Sequence, residues 1–314
     1  MMQEKRLGQA VTPGEQAIEE VIRRVPAWAD KEAHYAPMEG GILNSNWCVG
    51  LAGEGRRFFV KIPGEGSEIF VNRAVANEAA RSANALGIGP EVVFFDPTDG
   101  VEACEFLENY RASTNNDFLQ RDVQLEVMAL YRRLHKGGQL SLTKTIFDMI
   151  DEHMAQAEEL GSDLPKDFAW LRAQYANAKA AMTASGLDIV PCFNDPMPGN
   201  FLLRDGDPIR LIDYEFASNN ERSFELGALF TEMFYPEDKA LELIEAYYGE
   251  ARRDYVARVH VTRCLADIKW ACWAVVNRKL SSWDFDYQKY GDWKFMRARS
   301  VIFDPRWEWW LRVL

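Results

Sequence analysis

The chain has 314 residues and a formal net charge of −12, and 47% of it is apolar, enough for a sizeable core and for two lobes. An acidic chain lacks the clustered Lys and Arg that sequence-independent nucleic-acid binding needs, and its charge disfavours anionic membrane surfaces. The start, Met-Met-Gln-Glu-Lys-Arg, has no apolar signal region, no run is long and apolar enough for a membrane span, and the five cysteines are scattered without a C-x-x-C, so a cytoplasmic protein with reduced thiols is expected.

Thr12-Pro13-Gly14-Glu15 opens the first predicted helix, over 15–25, with Thr as N-cap, Pro at the first helical position and Glu closing a capping box. Two β-like runs follow at 46–51 and 57–62, separated by Gly53-Glu54-Gly55. A helix is predicted over 68–86, then β-like runs at 91–95 and 101–106 around an Asp-Pro-Thr-Asp-Gly turn. The segment 107–116 reads as a linker. Beyond it the pattern is helical, near 118–135, 145–160, 166–184, 222–234, 237–249, 253–280 and 283–302. A hairpin interrupts these helices: Phe201-Leu202-Leu203 and Ile209-Arg210-Leu211-Ile212 flank Arg204-Asp205-Gly206-Asp207-Pro208. The four histidines are far apart and show no metal-ligand spacing, so they read as surface or packing residues. The class is α+β: a small strand-rich lobe over 1–108 and a larger, mostly helical lobe over 109–314.

Chemistry gathers around the hairpin. Asn194-Asp195-Pro196-Met197-Pro198-Gly199-Asn200 precedes it and Ile212-Asp213-Tyr214-Glu215 closes it. Asp, Asn five residues on and a later Asp match the protein-kinase order, H-R-D-x-x-x-x-N followed by a Mg²⁺-binding Asp. A hairpin that folds Asp213 back towards Asn200 offers Mg²⁺ two oxygen ligands and leaves Asp195 to receive a proton. Ordinary polar turn residues would read the same way. Such chemistry also asks for a strand lysine and a helical glutamate. Phe58-Phe59-Val60-Lys61-Ile62 supplies the lysine, and Glu78, seventeen residues on, is its best partner. The plainer alternative leaves the Lys61 ammonium in water and Glu78 on a solvated face. Gly40-Gly41-Ile42-Leu43-Asn44 stands ahead of a strand and can turn over phosphates, as can an ordinary turn.

Over about residues 35–300 the chain resembles the choline/ethanolamine kinase group of the aminoglycoside-phosphotransferase-like kinases. The likeness lies in Phe193-Asn194-Asp195, Gly199-Asn200-Phe201-Leu202, Leu211-Ile212-Asp213-Tyr214-Glu215-Phe216-Ala217, Phe224-Glu225-Leu226-Gly227 and Leu134-His135. It implies a protein-kinase-like two-lobe fold, ATP and Mg²⁺ as cofactors and a small-molecule alcohol as acceptor, with ATP between the lobes. In that resemblance Asp195 is the catalytic base, Asn200 and Asp213 bind Mg²⁺, and Glu215 supports the metal. Lys61 and Glu78 form the phosphate-binding pair, Gly41 and Asn44 lie near the phosphates, and the backbone of Glu105-Phe106-Leu107 meets the adenine. Two departures stand out: Phe193 where the family usually has a His that props the loop, and Leu43 where it has Thr or Ser.

Ten tryptophans crowd towards the C-terminal part, Trp283 and Trp293 among them. Trp270 and Trp273 lie at i and i+3 of a predicted helix and share a face. Aromatic faces attract quaternary ammonium ions, and the same spacing serves a core stripe. The resemblance implies the cage: a W-x-x-W lines the family's choline pocket, Glu232 matches its carboxylate and Tyr235 adds a wall. The expected reaction phosphorylates choline or ethanolamine. A same-fold kinase for an aminoglycoside, sugar or thiamine, a nucleotide-binding pseudokinase, and a metal-dependent hydrolase using Asp195 and Asp213 are the alternatives.

Overall fold

The computed structural model describes residues 4–38, 44–64, 71–281 and 284–314. The chain forms two compact units, one of residues 1–112 and 201–216, the other of 113–200 and 217–314. In chain order the elements are β1 (Lys5–Arg6), α1 (Pro13–Arg24), β2 (Ala33–Met38), β3 (Asn44–Leu51), β4 (Arg57–Pro63), α2 (Arg73–Ala85), β5 (Val92–Phe95), β6 (Glu102–Glu105) and β7 (Arg111–Ala112). There follow α3 (Arg121–Leu134), α4 (Ile146–Glu159), α5 (Phe168–Ser185), β8 (Ile189–Cys192), β9 (Phe201–Leu203), β10 (Arg210–Leu211) and β11 (Ser218–Glu221). The chain ends with α6 (Arg222–Glu232), α7 (Glu237–Tyr248), α8 (Arg253–Leu280), α9 (Tyr287–Ile302) and α10 (Trp307–Val313).

The first unit is built on an antiparallel sheet in the order β1-β2-β3-β4-β6-β5. Strand alternation sends Phe58 and Val60 of β4 into the core with Trp47 and Val49 of β3, Ala103 of β6, and Ile18 and Ile22 of α1, so Lys61 falls on the opposite face. The Thr12 capping box that opens α1 is formed in full. α2 starts at Arg73 rather than at 68, because Asn72 is its N-cap and accepts the Val75 N–H at 3.2 Å. β9 and β10 make the expected hairpin, and β7 adds to β9. Leu211 N–H bonds Ile88 O at 3.0 Å and Arg210 donates to Gly87 O at 2.6 Å, which ties this ribbon to the strand-rich unit.

In the second unit α8 runs through the core, flanked by buried faces of α4, α5, α6, α9 and α10. β8 and β11 pair antiparallel, Ser218 opposite Cys192. α6 meets α8 at Gly227, where an added Cβ would sit 2.8 Å from Arg263 N and 2.9 Å from Thr262 C. Backbone atoms cannot move aside cheaply. Gly227→Ala is therefore expected to destabilise the protein by about 2–3 kcal/mol, seen as a fall in Tm of about 5 °C in thermal denaturation. α9 starts at Tyr287, where Asp286 accepts the Lys289 N–H at 2.9 Å.

The five cysteines are free. No helix of the described residues is long and apolar enough to cross a membrane. His135, His153 and His260 are buried. Burial, aided by Arg263, pushes the His260 pKa down to about 4. As pH falls from 6.5, the unfolded chain takes up a proton that the folded chain refuses until about pH 4, so stability is lost across that window. His260 stacks on Trp310 with ring centroids 4.5 Å apart. His260→Phe keeps the stack and removes the titration. Between pH 7 and 5 the variant should lose about 2 kcal/mol less stability than the parent, measured by urea unfolding at both pH values.

Candidate active site

Lys61 Nζ lies 2.6 Å from Asp213 Oδ1 and 3.5 Å from Glu215 Oε1, all within the first unit. Burial alone would lower the lysine pKa. Asp213 and Glu215 outweigh it, helped by Glu102 opposite Lys61 in the β4–β6 register, and the pKa is raised. Glu215 is itself buried and is bound by Arg73 of α2 and by Asn44 Nδ2 of β3 at 2.9 Å. Burial pushes Glu215 up, but Lys61 and Arg73 prevail and hold it below its ordinary value. Asp213 takes a left-handed φ of 69°, which Asp tolerates better than most residues. Buried Tyr214 beside it donates its hydroxyl to Leu211 O at 3.0 Å.

Among the described residues the ion pairs of Lys61 are with Asp213 and Glu215 rather than with the expected Glu78. Arg73 and Asn77, one turn apart, form the α2 face that reaches Glu215 and Glu102, with Asn77 Nδ2 2.8 Å from Glu102 Oε2. Glu78 lies about 100° round the helix from Asn77. Gly41 and Leu43 are outside the described residues. Glu105 N–H bonds Glu91 O at 2.8 Å, Phe106 N–H bonds Arg57 O at 3.0 Å, and Leu107 O accepts from Tyr110 at 3.3 Å. The Leu107 N–H has no backbone partner among the described residues.

In the second unit β8 delivers Phe193, Asn194 and Asp195. Glu225 of α6, fully buried, accepts Phe193 N–H at 2.6 Å and Asn194 N–H at 2.8 Å. Asn194 is left-handed (φ 68°) and is locked by β11: it donates to Ser218 Oγ and accepts from Asn220 Nδ2, each at 2.9 Å. Asn200 Nδ2 bonds Asp195 through the backbone O at 3.1 Å and through Oδ2 at 3.2 Å. Phe193 is fully buried. His135, read as a surface or packing residue, is more than that: Nε2 lies 3.3 Å from Glu225 Oε2 and Nδ1 lies 2.5 Å from the Tyr247 hydroxyl. The loop is therefore held through Glu225, which His135 contacts in turn.

α8 brings Trp270 and Trp273 together, ring centroids 5.6 Å apart at 77°, and both are buried. Tyr287 and Tyr290 of α9 meet Trp273 at 5.7 and 6.2 Å. Lys269 Nζ lies 2.9 Å from the Trp270 ring centroid. Burial drives the Lys269 pKa well down, against the pull of the Asp195 carboxylate. The Tyr290 pKa is raised first by burial and also by Glu232 and Asp195, so the aspartate and the aromatic cluster share one neighbourhood of the second unit. Glu232, at the end of α6, has Oε2 2.7 Å from Lys294 Nζ. Tyr235 sits apart: its hydroxyl donates to Phe118 O at 2.9 Å and its ring meets Phe230 at 5.8 Å. No ring contact between Tyr235 and either tryptophan occurs among the described residues. Trp283 is outside those residues, and Trp293 is exposed.

A strand lysine held by an Asp-x-Glu pair in one unit, and an Asp-x₄-Asn loop anchored on a buried carboxylate in the other, are the parts of a phosphotransferase with the kinase-like fold. The chain belongs to the choline/ethanolamine kinase family, whose profile matches residues 35–254. It is 23% identical over 279 residues to the protein LicA of Haemophilus influenzae, covering 84% of this chain and 77% of that one. Its fold is that of a choline/ethanolamine kinase family protein from Mesorhizobium loti (TM-score 0.81, 24% identity, 96% and 98% of the two chains). The choline kinase LicA from Streptococcus pneumoniae is similarly alike (TM-score 0.77, 20% identity, 93% and 99%). The chain is thus a small-molecule kinase, and nucleotide binding goes with that class.

Proposed function

We propose that this protein transfers the γ-phosphoryl group of ATP to the hydroxyl of choline or ethanolamine, giving ADP and the phosphoalcohol, in the cytoplasm where ATP is available. The observation that carries this reading is the neighbourhood of Asp195 in the second unit: its charge is felt at Lys269, which lies over the Trp270 ring, and at Tyr290, where the charge of Glu232 is felt too. Aromatic faces and a carboxylate are the groups that recognise an ammonium head. A head group resting there leaves its hydroxyl near a carboxylate that can take the proton.

Asp195 acts as base, and Asn200 keeps it aligned through the two bonds from its amide nitrogen. That leaves the Asn200 carbonyl oxygen for a cation. In the first unit Asp213, with Glu215 in support, offers oxygens as well, and oxygen donors suit a hard ion such as Mg²⁺. When bound, Mg²⁺ neutralises the phosphate oxygens. Lys61 adds a fixed positive charge towards the phosphates, kept protonated by Asp213 and Glu215. The Leu107 N–H, without a backbone partner among the described residues, suits an adenine nitrogen. Asn44, its amide nitrogen on Glu215, has a buried carbonyl oxygen without a partner among the described residues, a further oxygen for the nucleotide.

A coupled ADP-release assay tests the reading with choline, ethanolamine, an aminoglycoside, a sugar and thiamine as acceptors. Choline or ethanolamine should exceed the others in kcat/KM by about a hundredfold, the scale on which desolvated cation–π and carboxylate contacts discriminate. Turnover of another alcohol alone would remove the assignment.

A further inference from the structure

We propose that the chain's own Lys294 occupies the place of the substrate's cationic head, so that the alcohol binds in competition with it. The inference rests on the head-group site given above and adds what limits its affinity and selectivity. Lys294, in α9, is buried. Its Nζ lies 2.7 Å from Glu232 Oε2, 3.9 Å from Asp267 Oδ1 and 5.0 Å from the Tyr290 ring centroid. Two carboxylates and an aromatic face are what would recognise an ammonium ion, and here the ion belongs to the protein.

The neighbouring charges leave Glu232 as the contested group. Asp267 is already clasped by Arg297, at 2.5 Å to Oδ1 and 3.1 Å to Oδ2. The Glu232 side chain keeps 25% exposure and can be reached. A head group that takes Glu232 must displace a charge-assisted hydrogen bond. The primary ammonium of ethanolamine can replace that bond with its own N–H. The trimethylammonium of choline has no N–H and offers charge and methyl surface alone. Lys294 therefore weighs against choline more than against ethanolamine.

The test is a tryptophan-fluorescence titration of tetramethylammonium, choline and ethanolamine into the parent protein, K294Q and K294R, with ADP and Mg²⁺ present. Tetramethylammonium has no hydroxyl and reads the head-group place whichever alcohol is phosphorylated. K294Q should bind tetramethylammonium and choline about tenfold more tightly and ethanolamine less so. K294R keeps the competing charge and should stay within about twofold of the parent. Unchanged or weaker tetramethylammonium binding by folded K294Q overturns the competition, while turnover of choline would leave the proposed reaction standing. Should K294Q not fold, K294M is read in the same titration and must also bind tetramethylammonium more tightly. Binding of no cation by any of these proteins removes the head-group site, and both readings fall.

Discussion

Asp195→Asn should lower kcat by about 10³-fold in the ADP-release assay while the protein keeps its fold and its nucleotide affinity. The substitution preserves shape, and the backbone oxygen that Asn200 bonds at 3.1 Å is untouched. Phe193 and Asn194 stay hung on Glu225. What is lost is the carboxylate charge, and with it the acceptor for the alcohol proton and the countercharge felt by Lys269. A variant that keeps more than about a tenth of the parent rate would take Asp195 out of the base role. Equal, near-zero ADP release from both proteins would instead favour the pseudokinase.

Lys61→Met should have the second large effect. Removing a fixed charge aimed at the transferring phosphoryl group costs about 10²–10³-fold in kcat/KM for ATP, by analogy with other transition-state donors. Stability also changes, because Asp213 and Glu215 lose their shared cation. Glu215 keeps Arg73 and Asp213 is a third exposed, so the loss at pH 7 should be about 2 kcal/mol rather than the larger value of a sealed pair. The sign with pH follows from Glu215. Its pKa is depressed in the folded protein, so the stabilisation is present above the ordinary carboxylate range and disappears as pH falls through the folded value. Urea unfolding of parent and variant should therefore diverge at pH 7 and converge in acid. A constant gap down to pH 3 would mean that packing, and not charge, made the difference.

Much of this was legible in the sequence because it was local. A charged residue in an apolar β run announced Lys61, the capping box fixed the start of α1, and the turn Arg204–Pro208 fixed the hairpin that carries Asp213. The i, i+3 tryptophans shared a face as helix geometry requires. What stayed hidden depends on which face of one element meets another. Glu78 and Arg73 are both polar positions of α2, and spacing alone does not say that Arg73 reaches Glu215. His135 and Glu225 lie ninety residues apart, and no periodicity links them. Tyr287 and Tyr290 join Trp273 only because α9 lies along α8. Tyr235, three residues beyond the end of α6, is a pocket wall by the resemblance, yet its hydroxyl is taken by a backbone carbonyl at Phe118.

The division of the first unit into residues 1–112 and 201–216 bears on how the protein is made. A ribosome releases the six-stranded sheet, with Lys61 already in place, long before it releases the aspartate and glutamate that neutralise that lysine. Until residue 216 emerges, the nascent sheet holds a cation short of its two main counter-ions and lacks β9, the partner of β7. The strand-rich unit is therefore completed late in synthesis, after β8 and the Asp195 loop have left the ribosome, and a truncated product ending near Ala112 would be a target for chaperones and proteases.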